Sequence, residues 1–128
     1  MEKILLVYGF NNFQIEQLNK AFNDKGFEIR PVPEEKYGYK IGELTGVLEE
    51  ESEHEEGLAI PGRMVVVCGV DKEEYAPVFK LLTDTTGKLA YHKAVVTETN
   101  TNWTSARLFT EVDNEYKEIK KRNRLKNR

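Results

Sequence analysis

The chain has a single cysteine, Cys68, in 128 residues. That excludes a disulfide framework and a paired metal motif, and it points to a reducing, cytoplasmic setting. No apolar run approaches the ~20 residues that a membrane-crossing helix needs. The opening "MEKILLVYGF" is too short and too soon charged to read as a secretory leader. HExxH and GxSxG motifs are absent, and no two carboxylates stand at a telling spacing. "TTGK", Thr85 to Lys88, lacks the first glycine of a phosphate-binding loop and closes a helix instead of opening one. "NWT", Asn102 to Thr104, has the form of a glycosylation sequon but no secretory context. These absences lower the expectation of an enzyme, and no catalytic residue, metal or cofactor is assigned.

What is present is a single domain's worth of chain, 39% apolar and 32% charged. Its formal charge of −3 hides an asymmetry. From Lys117 to Arg128 there are seven basic residues and one acidic one, so the rest of the chain is strongly negative. Much of that negative charge sits in "EEESEHEE", Glu49 to Glu56, with six glutamates in eight positions. A run that repels itself and has nothing apolar to bury is expected to be a mobile surface loop, dispensable for folding. His54, within it, could hold a divalent ion weakly; a solvated loop is the preferred reading.

An internal repeat sets the architecture. "KILLVYG" (Lys3 to Gly9) and "RMVVVCG" (Arg63 to Gly69) each read as a basic residue, five apolar ones and a glycine. Two positions on stand Asn11 and Asp71, residue types that cap helices. Helical spacing follows in Ile15, Leu18 and Phe22, and again in Tyr75, Val78 and Leu82. Pro77 means that the second helix starts near Ala76 or is kinked there. "FEIRPV" and "AYHKAVV" then read as strands.

The expectation is an α/β domain of two β-α-β units, residues 1–33 and 63–121. The second unit includes a C-terminal amphipathic helix from about Trp103 to Lys121. A linker over 34–62 joins the units and has a short helix in "YKIGELTGVLEE"; a frayed basic tail covers 122–128. Strands one and three are apolar at nearly every position, as in central parallel strands. Pro31 puts the second strand at an edge. A doubly wound sheet of order 2-1-3-4, two helices on each face, is preferred over a ferredoxin-like α+β sheet of order 4-1-3-2.

In a doubly wound sheet, ligands bind beyond the C-terminal strand ends. Here that edge would gather "GFNN", "GVDK" and "TETNTNW", which makes Asn11, Asn12, Asp71, Thr97, Asn100 and Trp103 the candidate ligand-binding residues. Helix N-termini at such an edge favour anions. Capping alone would account for Asn11, Asp71 and one of Asn100 to Asn102. Thr97, Asn100 and Trp103 are expected to form one structural clasp that also shapes the edge. Cys68 reads as a small buried hydrophobe and not as a nucleophile. His92 reads as a lone outward polar residue on an edge strand.

"VVVCGV", a helix, "HKAVVTETNTNW" and a further helix together resemble an uncharacterised bacterial family, domain of unknown function 3783. The resemblance spans Arg63 to about Lys121. Its most specific part is Thr97, Asn100 and Trp103, which match the family's Thr-x-x-Asn-x-x-Trp pattern; members often carry Pro where this chain has Glu98. The family implies no activity. The first half is similar to a diverged copy of the same unit without that signature.

The function expected from all this is a non-catalytic binding or regulatory module whose strand-end edge holds a small anion or a protein. A small hydrolase or transferase at the same edge, with Asp71 or Asn100 polarising a substrate, is one alternative. The other is a nucleic-acid accessory protein acting through Lys117 to Arg128. The tail has no interleaved aromatics to stack bases, so such binding would be weak and salt-sensitive. No membrane partner is expected.

Overall fold

The fold is that of a computed structural model, described for residues 2–126. Strand β1 (Lys3–Tyr8) leads to helix α1 (Asn12–Phe22) and strand β2 (Phe27–Pro31). A short helix α2 (Ile41–Thr45) lies in the long connection to strand β3 (Met64–Cys68). Helix α3 (Tyr75–Thr86), strand β4 (His92–Val95) and helix α4 (Ser105–Lys126) complete the chain. A 3-10 turn over Lys72–Glu74 precedes α3, so Pro77 falls in the first helical turn, where its missing N–H costs nothing. The helix starts at Tyr75 and needs no kink.

The sheet is four-stranded and runs β2-β1-β3-β4, the order the repeat implies. β1 pairs parallel with β2, and β3 with β4, but β1 and β3 run antiparallel, with Leu6 opposite Val66. A uniformly parallel, doubly wound sheet is therefore not what forms. The apolar run of a two-faced central strand is the same in either direction, so composition cannot fix this junction. The antiparallel junction also moves a helix. A right-handed crossover from β1 to β2 and another from β3 to β4 fall on the same face, because strand direction and sideways step both reverse.

Each face has its own core. Leu5, Val7, Val65 and Val67 point to one side and meet Leu18 and Phe22 of α1 and Val78 and Leu82 of α3. Ile4, Leu6, Tyr8, Met64, Val66 and Cys68 point to the other, following the period of two along a strand. That second face is covered by Tyr37, by Ile41 and Leu44 of α2, and by Leu108 and Phe109 of α4. Two helices cover each face, as expected, but the repeat's two helices lie together. Within the second core the Tyr8 hydroxyl and Ser105 Oγ are 2.7 Å apart. Both residues have no exposed surface, so this bond joins β1 to the start of α4 out of reach of water.

Gly9 and Gly69 mark the join of the units. Both have φ near +80°, and a Cβ at Gly69 would stand 2.1 Å from the Glu2 carbonyl oxygen. The close approach of the two strands there leaves no room for a side chain.

Candidate functional site

The antiparallel junction sends the C-terminal ends of β1 and β3 to opposite edges of the sheet. Asn11 and Asn12 lie at one edge; Asp71, Thr97, Asn100 and Trp103 lie at the other. The six candidate residues therefore do not line a shared strand-end site. Asn11 is the N-cap of α1, its side chain accepting from the Gln14 N–H while Gln14 accepts from the Asn11 N–H. It also borders a small cavity of about 450 Å³ between the start of α1 and the end of α3. Asn12 opens the helix and is exposed. Asp71 precedes the 3-10 turn before α3, and no side-chain capping bond is made there.

The segment after β4 is tied by side chains. Asn100 Oδ1 accepts from the Thr97 N–H at 2.8 Å, and Thr97 Oγ1 accepts from the Asn100 N–H at 3.1 Å. Asn100 Nδ2 donates to the Val95 carbonyl at 3.0 Å, fixing the turn to the strand it leaves. Asn100 is only 8% exposed, and all this hydrogen-bonding capacity is spent inside the turn. It does not cap α4. Thr104 does, accepting from the Arg107 N–H at 3.1 Å, a role expected of one of Asn100, Thr101 and Asn102. The 3-10 turn over Asn100–Asn102 pushes the helix start two residues further on.

Trp103 links this turn to the connection between β2 and β3. Its carbonyl accepts from the Ile41 N–H at 2.9 Å, at the first residue of α2. Arg107 lies over its ring, 4.2 Å from the centroid, a cation–π contact that shields the indole face. Thr101 packs on Gly42, where a Cβ would stand 2.8 Å from the threonine hydroxyl. The clasp thus holds strand β4, helix α2 and helix α4 in one place.

The acidic stretch is docked, contrary to the mobile loop expected. Glu43 of α2 has a side chain only 1% exposed, and its carboxylate collects three donors. These are the Lys40 N–H at 2.8 Å, the Glu51 N–H at 2.8 Å and His54 Nε2 at 2.7 Å. Burial raises its pKa, but His54 and the two backbone N–H groups outweigh this and hold it below the usual carboxylate range. His54 stacks face to face on Tyr39 at 3.6 Å, and the Glu55 carbonyl sits against Gly38, where a Cβ would stand 2.0 Å away. Net charge gave the wrong reading because a single buried glutamate, outside the run, organises it. Among the described residues, no group of three His, Cys, Asp or Glu side chains is placed to hold a metal ion.

A larger concavity lies between the β3–β4 corner and α4. This open cleft of about 860 Å³ is walled by Tyr91, His92, Phe109, Val112, Tyr116 and Ile119. His92 is not a lone polar residue. Its Nε2 meets Asp113 Oδ1 at 2.8 Å, and its ring packs edge-on against Phe109 and Tyr116. Lys117 Nζ lies 2.8 Å from the other Asp113 oxygen, and Lys117 foremost, with His92, holds that carboxyl below its ordinary range. Arg63 stands at the rim, its guanidinium donating to the Ala90 carbonyl at 3.3 Å. The cleft escaped sequence reasoning because His92 and Asp113 are 21 positions apart on different elements. The only hint was the stripe Leu108, Val112, Tyr116 and Ile119, longer than the sheet could bury. Cys68, as expected, is buried, and burial pushes its thiol up to about 12.

Residues 63–119 match the model of a family described as a domain of unknown function, DUF3783. The DUF3783 match takes in β3, α3, β4 and α4 as far as Ile119. It therefore contains the Thr97–Asn100–Trp103 clasp and every side chain named above as a wall of the cleft. β1, α1, β2 and α2 lie outside it. No curated protein and no solved structure matches the chain.

Proposed function

We propose that this protein is a non-catalytic binding module whose binding surface is the cleft between α4 and the β3–β4 corner, in place of the strand-end edge expected from sequence. The observation that carries this reading is an open, aromatic-walled concavity in which Asp113 is held between His92 and Lys117. A cleft with apolar walls and a few oriented polar groups is the usual form of a binding site. Asp113 is paired with both His92 and Lys117, which orders the wall. By contrast, Thr97 and Asn100 satisfy one another and offer a ligand little.

An apolar anion tests the reading. We expect 8-anilinonaphthalene-1-sulfonate to bind the native protein with enhanced fluorescence, its rings among Tyr91, Phe109 and Tyr116 and its sulfonate near Arg63. Tyr116→Ala and Ile119→Glu should weaken that binding about tenfold, the equivalent of one lost apolar contact set. Asn12→Ala and Asp71→Ala should leave it unchanged. The reverse pattern would return the site to the strand ends.

A further inference from the structure

Helix α4 extends beyond the sheet that it covers. Its 22 residues span about 33 Å, and only its first turns, with Ser105, Leu108 and Phe109, are buried. Tyr116 and Ile119 continue the same stripe but are 54% and 55% exposed. Val112, Tyr116, Ile119 and Asn123 follow at spacings of four, three and four, the pattern of a helix that packs along another helix. The charges beside the stripe are segregated along its length. Glu111, Asp113, Glu115 and Glu118 come first, and Lys117, Lys120, Arg122 and Arg124 dominate beyond. The helix dipole favours such a gradient, but it gives no reason for an apolar stripe in solvent.

We propose, building on the reading of the cleft as a binding surface, that its occupant is α4 of a second copy of this chain, packed antiparallel. When Tyr116 of one copy is level with Ile119 of the other, Asp113 flanks the seam on the same side as Lys120 and Arg124 of the second copy, each within two residues of level. On the other side of the seam, Glu111 and Glu115 lie beside Arg122 of the second copy, again within two residues of level. Two-fold symmetry makes each match twice. A parallel, in-register pair would match only Glu115 with Lys120 across the seam and would set the second copy's C-terminal half beside its own counterpart, away from the cleft. In the antiparallel register the segment from Ile119 to Lys126 runs past Phe109 to Tyr116, the stretch of α4 that walls the cleft. Asn123 falls level with Val112, and a lone Asn in such a seam fixes register and orientation at some cost in affinity.

Sedimentation velocity on the full chain over a wide concentration range tests this. The parent is expected to show a monomer–dimer equilibrium that loosens as ionic strength rises. Ile119→Glu should weaken the dimer at least ~10-fold while leaving the unfolding temperature of the dilute monomer unchanged, because Ile119 lies outside both cores. One double and one single variant probe orientation: Glu111→Lys with Glu115→Lys, and Arg122→Glu. Each alone should be monomeric, and an equimolar mixture should recover the dimer. A parent that stays monomeric, a dimer indifferent to these changes, or a mixture that fails to recover would each overturn the proposal. If the parent is monomeric yet the anilinonaphthalene probe still binds in a Tyr116-dependent way, the cleft stands and only its occupant is wrong. If the dimer forms as described but the probe ignores Tyr116 and Ile119, the helix pairing stands and the ligand cleft is wrong.

Discussion

Replacing Glu43 with alanine is expected to cost about 3 kcal/mol of stability and to release the segment from Val47 to Ile60. The carboxylate accepts from the Lys40 and Glu51 N–H groups and from His54, and its side chain is 1% exposed. A buried donor left without its acceptor costs roughly 1–3 kcal/mol, reduced where water can enter. Two donors belong to the start of α2 and to the acidic loop, so the loss is also a loss of docking. Leu58 and Ile60, which pack against the second core, would loosen with it. The same group sets a pH dependence. Its folded pKa is depressed below the ordinary 4.5, so its contribution is present in full above that value and disappears as pH falls through the folded pKa. Lys40–Glu51 and the His54–Tyr39 stack lie beside it and report the same event. Amide hydrogen exchange should show residues 47–60 opening in the alanine variant at neutral pH and in the parent only in acid. Equal protection in both proteins would mean that the loop is held without Glu43.

Asn100→Ala is expected to cost about 2–3 kcal/mol, more than a helix cap is worth. The substitution strands the Thr97 N–H and the Val95 carbonyl, both at the point where β4 ends. Asn100→Asp separates the two halves of the role. It keeps the acceptor for Thr97 but turns a lone pair toward the Val95 carbonyl, so it should be destabilising at neutral pH and recover partly in acid. Thr97→Ala removes only one acceptor and should cost less, about 1 kcal/mol. Chemical denaturation of the three variants checks the ranking. A stable Asn100→Ala protein that has lost its cellular role would place Asn100 in a site and not in a clasp.

Much of this fold could be read from local pattern. The repeat of apolar run, glycine and Asx residue located β1, β3 and the helices after them, because strand and helix periods are written in neighbouring residues. Pro31 marked the edge strand for a similarly local reason. The direction of β3 against β1 was not legible, since both are apolar on both faces and the 34–62 connection is long enough for either arrangement. That one undetermined sign moved Asn11 and Asn12 to the far edge from Asp71 and Asn100. The link between Thr97 and Asn100 was legible because it spans three residues. Glu43 with His54 and His92 with Asp113 were not, because each pair is made only when separate elements pack. The end of α4 was also underestimated: its Lys and Arg residues are good helix formers that complement the C-terminal dipole, and the helix persists to Lys126. Asn127 and Arg128 of the expected tail lie outside the described residues.

The functional reading rests on the strand ends lying at opposite edges of the sheet, and a distance measurement between spin labels at Asn12→Cys and Lys72→Cys tests that directly. Both positions are exposed, and native Cys68 is buried with its thiol pushed up to about 12, so labelling is confined to the introduced cysteines. With β1 and β3 antiparallel, the labels are separated by most of a strand's length and the turns beyond it, about 20 Å or more, and pulsed dipolar spectroscopy should resolve a single distance in that range. Labels about 10 Å apart, close enough to broaden the continuous-wave spectrum, would mean parallel strands and a shared strand-end site, and would contradict the account.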